Sequence, residues 1–575
     1  MTGLSTPPHP ELGPSPTPNT RPTDTNPIMH GGHVHKPSDG NVAYLWESLF
    51  QSTNMTPCNE PPREITANEV AAARPIQRIQ GRWNGATRWS ALLLLFVLFG
   101  CAQPPMSSQR PLKQFTDDLD GRVPQLMEHY DIPGVSMALI HDGEVVWSAA
   151  YGMASREQHR EMSVDAVFRA ESLSKPVTAW GIMRLVEQGK IDLDAPVERY
   201  LGGWRIPDSR YDTRRVTVRR LLSNSAGIAL GTVGEEYPPQ SNVPPLAPYL
   251  SREVQLQYPP GSEFRYSNAG FNLLDLLIEE VTARDFAAYM ADEVIAPLGM
   301  DRASFVWQDT LAPAIPTGYE IDGTPVSTYV YPAKGSGGLF ASVEDIARFV
   351  RAGMTGPYYS DPDGLSQDGL HRLYSPEVDI SGIFGIVADA YGLGHFIERL
   401  PTGQKAVWHG GQGHGWMTHF HSVPNAGEGI VILTNSQRSW PFMAEVLSDW
   451  ADWIGVESVK MGRIANGTTI IWALIGVLSL LILALGYRLA QGLRRGTRAW
   501  DPISSRAWKS RLVQAALGLG GIALLIWSVA QPYLMVASVF PTTVGWAGAS
   551  LLALSLLLVL SASLPYGTER AANDR

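Results

Sequence analysis

The sequence predicts an α+β fold: an antiparallel β-sheet flanked by helices, followed by three C-terminal transmembrane helices. Three observations predict it. Strand patterns stand at both ends of the central region, in VSMALIHDGEVVWSAAYG (135–152) and in MTHFHSVP and GIVILTNS (417–436). Helical patterns such as AGFNLLDLLIEEVTARDF (269–286) lie between them. Strands at the two ends with helices between are the pattern of an antiparallel sheet with helices packed on it. Three long apolar runs then close the chain.

The central region opens with Leu119, Val123, Leu126 and Met127 at helical spacing. Two β-rich runs follow, joined at Asp142-Gly143, a strong hairpin signal. At the far end, PNAGEG turns between two further strands. In the 269–286 helix, Leu273, Leu274, Leu277 and Val281 fall on one side.

The apolar runs are TTIIWALIGVLSLLILALGY (468–487), about 512–530 and about 544–564. Each approaches the roughly 20 residues that a bilayer crossing needs. The loop 488–511 carries Arg488, Arg494, Arg495, Arg498, Arg506, Lys509 and Arg511 against a single Asp501, whereas the loop 531–543 has no charge. The positive-inside rule puts the basic loop in the cytoplasm and everything before residue 468 outside it.

Length and composition fit this organisation. A chain of 575 residues is too long for one compact domain. Its net charge of -10 gives no sign of nucleic-acid binding. The only cysteines are Cys58 and Cys101, no Cys/His metal spacing is present, and no metal or cofactor is expected. Eight prolines between Pro7 and Pro27 crowd a polar stretch without apolar periodicity, so residues 1–80 read as a disordered tail or a mis-assigned start. His30, His33 and His35 belong to that tract and read as part of it rather than as metal ligands. Residues 81–101 read as a signal peptide: Arg82 and Arg88 precede the apolar run Ala91–Phe99, which is too short to span a bilayer. Leu98-Phe99-Gly100-Cys101 resembles a lipoprotein cleavage box with Cys101 as the lipidated residue, although Phe99 departs from the small residue usual there. The expected organisation is thus a tail, an export signal, an exported globular domain over 110–458 and a membrane module over 468–566.

Three short motifs carry the chemistry. In ESLSKPVTAW (171–180), Ser172 and Lys175 stand at i and i+3 and share a helix face. Pro176 fits only the first turn of a helix, so the helix should begin near Ser172. Taken alone, the serine reads as a cap. In EFRYSNAGF, Tyr266-Ser267-Asn268 directly precedes a helix, and Asn268 alone would read as its N-cap. In AVWHGGQGHGWMTHF, His409-Gly410-Gly411 ends one apolar run and opens a glycine-rich turn. His414, His419 and His421 read as loop or sheet-surface residues, and Trp416 as either a pocket wall or packing.

Together and in this order, the three motifs resemble those of the serine β-lactamase and D-Ala-D-Ala peptidase family, especially its class C and peptidase S12 branch. VTVRRLLSNSAGI (216–228), GSGGLFASVEDIARFV (335–350) and GIVILTNS also resemble the family, and the likeness covers about 115–455. It implies a β-lactamase/transpeptidase-like fold with an all-helical subdomain. It implies Ser172 as the nucleophile, activated by Lys175 and Tyr266, with either able to take the proton. It also implies an oxyanion hole from the backbone N–H groups of Ser172 and Gln412, with Asn268, His409 and Gly411 binding substrate. The substrate would be a small peptide, amide or ester. Lysine is common at the position of His409. A histidine there is mostly neutral at pH 7, which shifts weight from a β-lactamase or carboxypeptidase toward an aminopeptidase, amidase or esterase. The three-span architecture is similar to that of the colibactin-maturing peptidase group, which implies a prodrug-activating peptidase acting on an N-acyl-D-amino acid. A membrane sensor that binds β-lactams or peptidoglycan fragments is the alternative of a different class.

Overall fold

In the computed structural model, the residues described are 110–231, 235–359, 364–503, 505, 507–530 and 535–566. The expected tail and signal peptide, with Cys58 and Cys101, lie outside the described residues.

The sheet has nine strands, all antiparallel. These are β1 (Gly134–His141), β2 (Glu144–Ser155), β3 (Arg160–Glu161), β4 (Val378–Asp379), β5 (Ala390–Tyr391), β6 (Phe396–Arg399), β7 (Lys405–Gln412), β8 (Met417–Val423) and β9 (Glu428–Thr434), in the order β3-β2-β1-β9-β8-β7-β6-β5-β4. The first hairpin turns at the expected dipeptide, where Asp142 and Gly143 both adopt positive φ, at 51° and 76°. Early and late segments meet in the middle, with Val135 opposite Thr434 and Ile140 opposite Gly429. The central strands are buried on both faces, so β9 reads as a continuous apolar run rather than an alternating one.

Side-chain alternation then gives two cores. On one face Val135, Met137, Leu139, Ile430 and Ile432 pack with α1 (Leu112–Tyr130) and α5 (Ser439–Trp453). On the other, Ala138, Ile140, Val431 and Leu433 pack with α2 (Ser174–Glu187), α3 (Asn268–Thr282) and α4 (Val343–Ala352). Helix α4 starts at a capping box in which Ser342 and Asp345 exchange side-chain and backbone bonds, satisfying donors that the first turn leaves free. His419 and His421 depart from the expected sheet-surface placement. Both are fully buried on the face covered by α5, beside Trp408 and Trp450, because β8 is a central strand with no wet side.

Three C-terminal helices are long and apolar enough to cross a membrane: α6 (Arg463–Arg494), α7 (Trp508–Val529) and α9 (Val544–Ser563). Helix α6 contains its expected run and extends beyond it at both ends, α7 begins about four residues before its run and ends at Val529, and α9 matches its run to within a residue. Arg498, between α6 and α7, and Arg511, in the first turn of α7, reach the C-terminal end of α9. Arg498 donates to Ser561 Oγ and Leu564 O, both at 3.1 Å, and Arg511 to Ala562 O at 2.7 Å. Cations are favourable at that end of a helix. At the opposite end of the bundle, the short helix α8 (Met535–Val539) packs against α5 of the sheet domain.

Candidate active site

The site forms where the start of α2, the start of α3 and the end of β7 meet. A 3₁₀ turn over Glu171–Leu173 leads into α2 at Ser174, so Ser172 sits one turn ahead of the α-helix proper and Pro176 falls within its first turn. Glu171 adopts φ 52°, a left-handed conformation that a glutamate holds only when its surroundings impose it. Here they do. Its carboxylate accepts from Arg169 Nε at 2.8 Å and from the Tyr329 and Tyr331 hydroxyls at 3.0 Å each, and Arg169 stacks 4.0 Å from the Tyr329 ring centroid. This buried cluster sets the backbone immediately before Ser172.

Lys175 is fully buried, while Ser172 is part-exposed. Lys175 Nζ lies 2.9 Å from Ser172 Oγ, 2.8 Å from Asn268 Oδ1 and 2.9 Å from Ser336 O. Burial holds its amine well below the ordinary lysine range. A neutral amine matches the three contacts: its two N–H groups go to Asn268 and Ser336, and its lone pair faces the Ser172 hydroxyl.

Asn268 is free to reach Lys175 because it does not cap α3. Ser267 does so, accepting from Gly270 N at 2.9 Å and donating to Ala229 O at 2.6 Å. Tyr266 interacts with Ser172, and the Lys175 amine lies 4.7 Å from its ring centroid. Burial pushes the Tyr266 phenol upward, so it stands as a proton donor.

Strand β7 carries the third motif against this assembly. A Cβ at Gly411 would lie 2.4 Å from Ala170 O and 2.2 Å from Thr418 Oγ1, so only glycine lets the strand pass beside the turn that carries Ser172. Thr418 Oγ1 reinforces the contact by donating to Ala170 O at 2.7 Å. Gln412 follows at the end of β7 and is held from two sides. Its Oε1 accepts from Trp440 Nε1 at 2.7 Å, and its Nε2 donates to Ser538 Oγ of α8 at 2.9 Å.

His409 does not face the cleft as a substrate contact would. It is fully buried, with Nε2 3.0 Å from the Tyr391 hydroxyl and Nδ1 2.9 Å from Gly410 O. Burial first, and nearby Lys175 second, hold its imidazole well below the ordinary range and hence neutral. Trp416 is packing: it is fully buried against Tyr329. His414 is a half-exposed loop residue between Glu236 and Glu320.

Sequence reasoning had no role for Glu171, Asn224, Ser336 or Tyr391. Asn224 and Ser336 lie within family-like stretches that had no assigned chemistry. Tyr391 stands on a two-residue strand with no motif around it.

The sheet, the helices on its faces and this juxtaposition define a serine β-lactamase-type fold. Residues 119–448 match the β-lactamase family model, and the chain belongs to that family. It is similar to a D-aminopeptidase of Brucella anthropi, at 29% identity over 358 residues that cover 61% of this chain and 64% of that one. The chain therefore spans less than two thirds of that relative's length. It is also similar to Protein flp of Staphylococcus aureus strain N315, at 24% identity over 347 residues covering 58% and 67% of the two chains. The crystal structure of SurE shares the fold, with a TM-score of 0.51 and 23% identity, covering 60% of this chain and 77% of that one.

Proposed function

We propose that the protein is a membrane-anchored, exported serine hydrolase that cleaves an amide bond through an acyl-enzyme on Ser172. The carrying observation is the buried Lys175 amine 2.9 Å from Ser172 Oγ, with its other two contacts spent on acceptors. Ser172 Oγ attacks the substrate carbonyl carbon as its proton passes to Lys175, and the carbonyl oxygen becomes an oxyanion. The backbone N–H groups of Ser172 and Gln412 stabilise that charge. The C–N bond then breaks, and the proton reaches the departing nitrogen from Lys175 by way of Tyr266. Water hydrolyses the ester, giving its proton to the same groups, and Ser172 is regenerated. Lys175 serves as the base in this reading, because burial lowers its amine while it raises the Tyr266 phenol.

The buried, neutral His409 offers no cation to a substrate carboxylate, which weighs against penicillins and terminal D-Ala peptides. The narrower reading is a prodrug-activating N-acyl-D-amino-acid peptidase of natural-product maturation. Three apolar helices after a hydrolase fold favour it, as does the relative named a D-aminopeptidase. For topology, the basic loop 488–511 lies in the cytoplasm and the Ser538 loop lies with the catalytic domain in the periplasm. The Gln412–Ser538 bond supports this independently of charge counting, since it requires Ser538 and β7 on one side of the membrane. The organisation into tail, signal peptide, hydrolase domain and membrane module follows the same reading.

The test is a substrate panel on membranes containing the enzyme: nitrocefin, a D-Ala-D-Ala peptide, p-nitrophenyl esters and an N-acyl-D-Asn amide. Mass spectrometry would follow acylation of Ser172. Turnover of the amide with a transient adduct is expected. A stable adduct without turnover would favour the sensor, preferential ester turnover an esterase, and nitrocefin turnover a β-lactamase.

A further inference from the structure

Outside the Ser172–Lys175–Tyr266 group, a line of buried polar groups joins the second motif to the third. Asn224 Oδ1 accepts from Ser267 N at 3.0 Å, which orients its amide with Nδ2 on the other side. That Nδ2 is buried without a hydrogen-bond partner among the described residues, and the Asn224 side chain interacts with Tyr391. The Tyr391 hydroxyl lies 3.0 Å from His409 Nε2, and His409 Nδ1 lies 2.9 Å from Gly410 O. Tyr391 and His409 are fully buried, and Asn224 is 2% exposed.

The direction of this line is fixed at its ends. The Ser267 N–H can only donate and the Gly410 carbonyl can only accept. Nδ1 of His409 must therefore carry the imidazole proton, Nε2 must accept, and Tyr391 must be its donor. The backbone reinforces the first link: Arg265 N donates to Asn224 O at 2.6 Å, and Asn224 holds φ 52°. Aromatic contacts hold Tyr391 in turn, with Phe396 edge-on at 4.7 Å and Phe264 at 5.3 Å between ring centroids.

We propose that Tyr391 is a positioning residue of this active site: by donating to His409 Nε2 it locks His409 as the neutral Nδ1–H tautomer, and with Asn224 it ties the Tyr266-Ser267-Asn268 turn to the His409-Gly410-Gly411 strand. A proton on His409 would place a cation close to Lys175, and Tyr391 prevents this by occupying the lone pair that would take it. The histidine thus acts in the site as a fixed dipole, so the third motif fills its place without bringing a charge.

The groups facing His409 are Lys175 from α2, Tyr266 ahead of α3, Tyr391 and His395 from the β5–β6 region and His419 from β8. Lys175 and His409 both contribute to the acid limb of a pH–rate profile, and variants separate them. In Tyr391→Phe the lone pair loses its donor, so protonation of His409 becomes easier. The acid limb of kcat/KM should then move to higher pH by half a unit or more, with kcat reduced about tenfold. In His409→Gln, which cannot titrate, the remaining acid limb belongs to Lys175, and adding Tyr391→Phe should leave its midpoint in place. An unmoved acid limb in Tyr391→Phe, or an equal move in the His409→Gln background, overturns the proposal.

A second measurement needs neither turnover nor the folding of Tyr391→Phe. The full chain, ¹⁵N-labelled at histidine in detergent micelles, should show His409 with a protonated Nδ1 and an unprotonated Nε2 at pH 7, the resonance being assigned by its loss in His409→Gln. An Nε2–H tautomer or an imidazolium overturns the proposal. The activity arm rests on the serine hydrolase reading, whereas the spectroscopic arm does not. Failure of Ser172 to acylate would sink that reading and leave the tautomer measurement standing as the test of this one.

Discussion

Gln412 at the end of β7 donates a 2.9 Å hydrogen bond from Nε2 to Ser538 Oγ, in the loop between the second and third apolar helices. Ser538 is fully buried, and Val539 and Phe540 beside it pack on the core beneath α5. Gln412, whose backbone the proposed mechanism places in the oxyanion hole, is therefore held partly by the segment between two of the apolar helices. Ser538→Ala removes one side-chain bond, worth about 0.5–1.5 kcal/mol. Steady-state kinetics should show kcat lowered by about two- to tenfold with KM little changed, because the bond sets geometry and not substrate contact.

The same bond predicts topology. A cysteine introduced at Thr542 should react with a membrane-impermeant maleimide on intact spheroplasts. One at Ala499, in the basic loop, should react only after permeabilisation. Equal labelling of both would refute the proposed orientation.

Ser172→Ala and Lys175→Ala should each lower kcat by about 10³-fold or more, since nucleophile and base act as a unit and their losses do not add. Ser172→Ala should also abolish covalent labelling by a fluorophosphonate or acylating probe. The pH profile follows from the neutral amine. As pH falls through the lowered Lys175 pKa, the amine gains a proton and can no longer take one from Ser172. Activity should therefore drop on the acid side, at a midpoint well below the ordinary lysine value of 10.5.

Gly411→Ala places a Cβ 2.4 Å from Ala170 O, a backbone atom that cannot swing aside. Overpacking of this kind costs about 1–3 kcal/mol. The larger effect should be catalytic, because the displaced segment is the turn that carries Ser172. A loss of kcat/KM of about 100-fold, with a smaller change in thermal midpoint, is the expected outcome.

Glu398 tests the pH dependence of stability. Burial raises its carboxyl from 4.5 to about 7. Between those values the folded state binds the proton more tightly than the unfolded chain does, so this group's contribution is full below about pH 4.5 and is lost as pH rises toward 7. His421, whose ring nitrogen lies 3.8 Å from the Glu398 carboxylate, has the opposite sign. Burial lowers it to about 3, so its contribution is full above 6.5 and is lost as pH falls. Glu398→Gln removes only the first effect. Its stability relative to the natural chain should improve between pH 5 and pH 7 by about 1–3 kcal/mol, read by chemical denaturation at the two pH values. A constant difference would show that Glu398 does not titrate on unfolding.

The sheet, its hairpin at Asp142-Gly143 and the three apolar helices were legible in the chain because each is a local signal: a period, a turn dipeptide or an uninterrupted apolar run. The site was legible in part. Ser172 and Lys175 share a helix face by spacing alone, but Tyr266, His409 and Gly411 gained meaning only as members of an ordered set. Asn224, Ser336 and Tyr391 carried no local signal, since each acts through a partner far along the chain.

The sequence by itself determined the residue types, the spacing of Ser172 and Lys175, and the length and charge pattern of the apolar helices. Tertiary structure decided what those residues are. Burial of Lys175 lowers the pKa of an ordinary cation, which is what suits its amine to the proposed role of base. Enclosure of His409 by Tyr391 and the Gly410 carbonyl makes a titratable ring a fixed dipole. The packing of Ser538, from the segment between two apolar helices, onto Gln412 brings an uncharged stretch of sequence to the proposed active site. In each case the deciding quantity is desolvation together with the position of a distant hydrogen-bond partner, and neither is a property of the local chain.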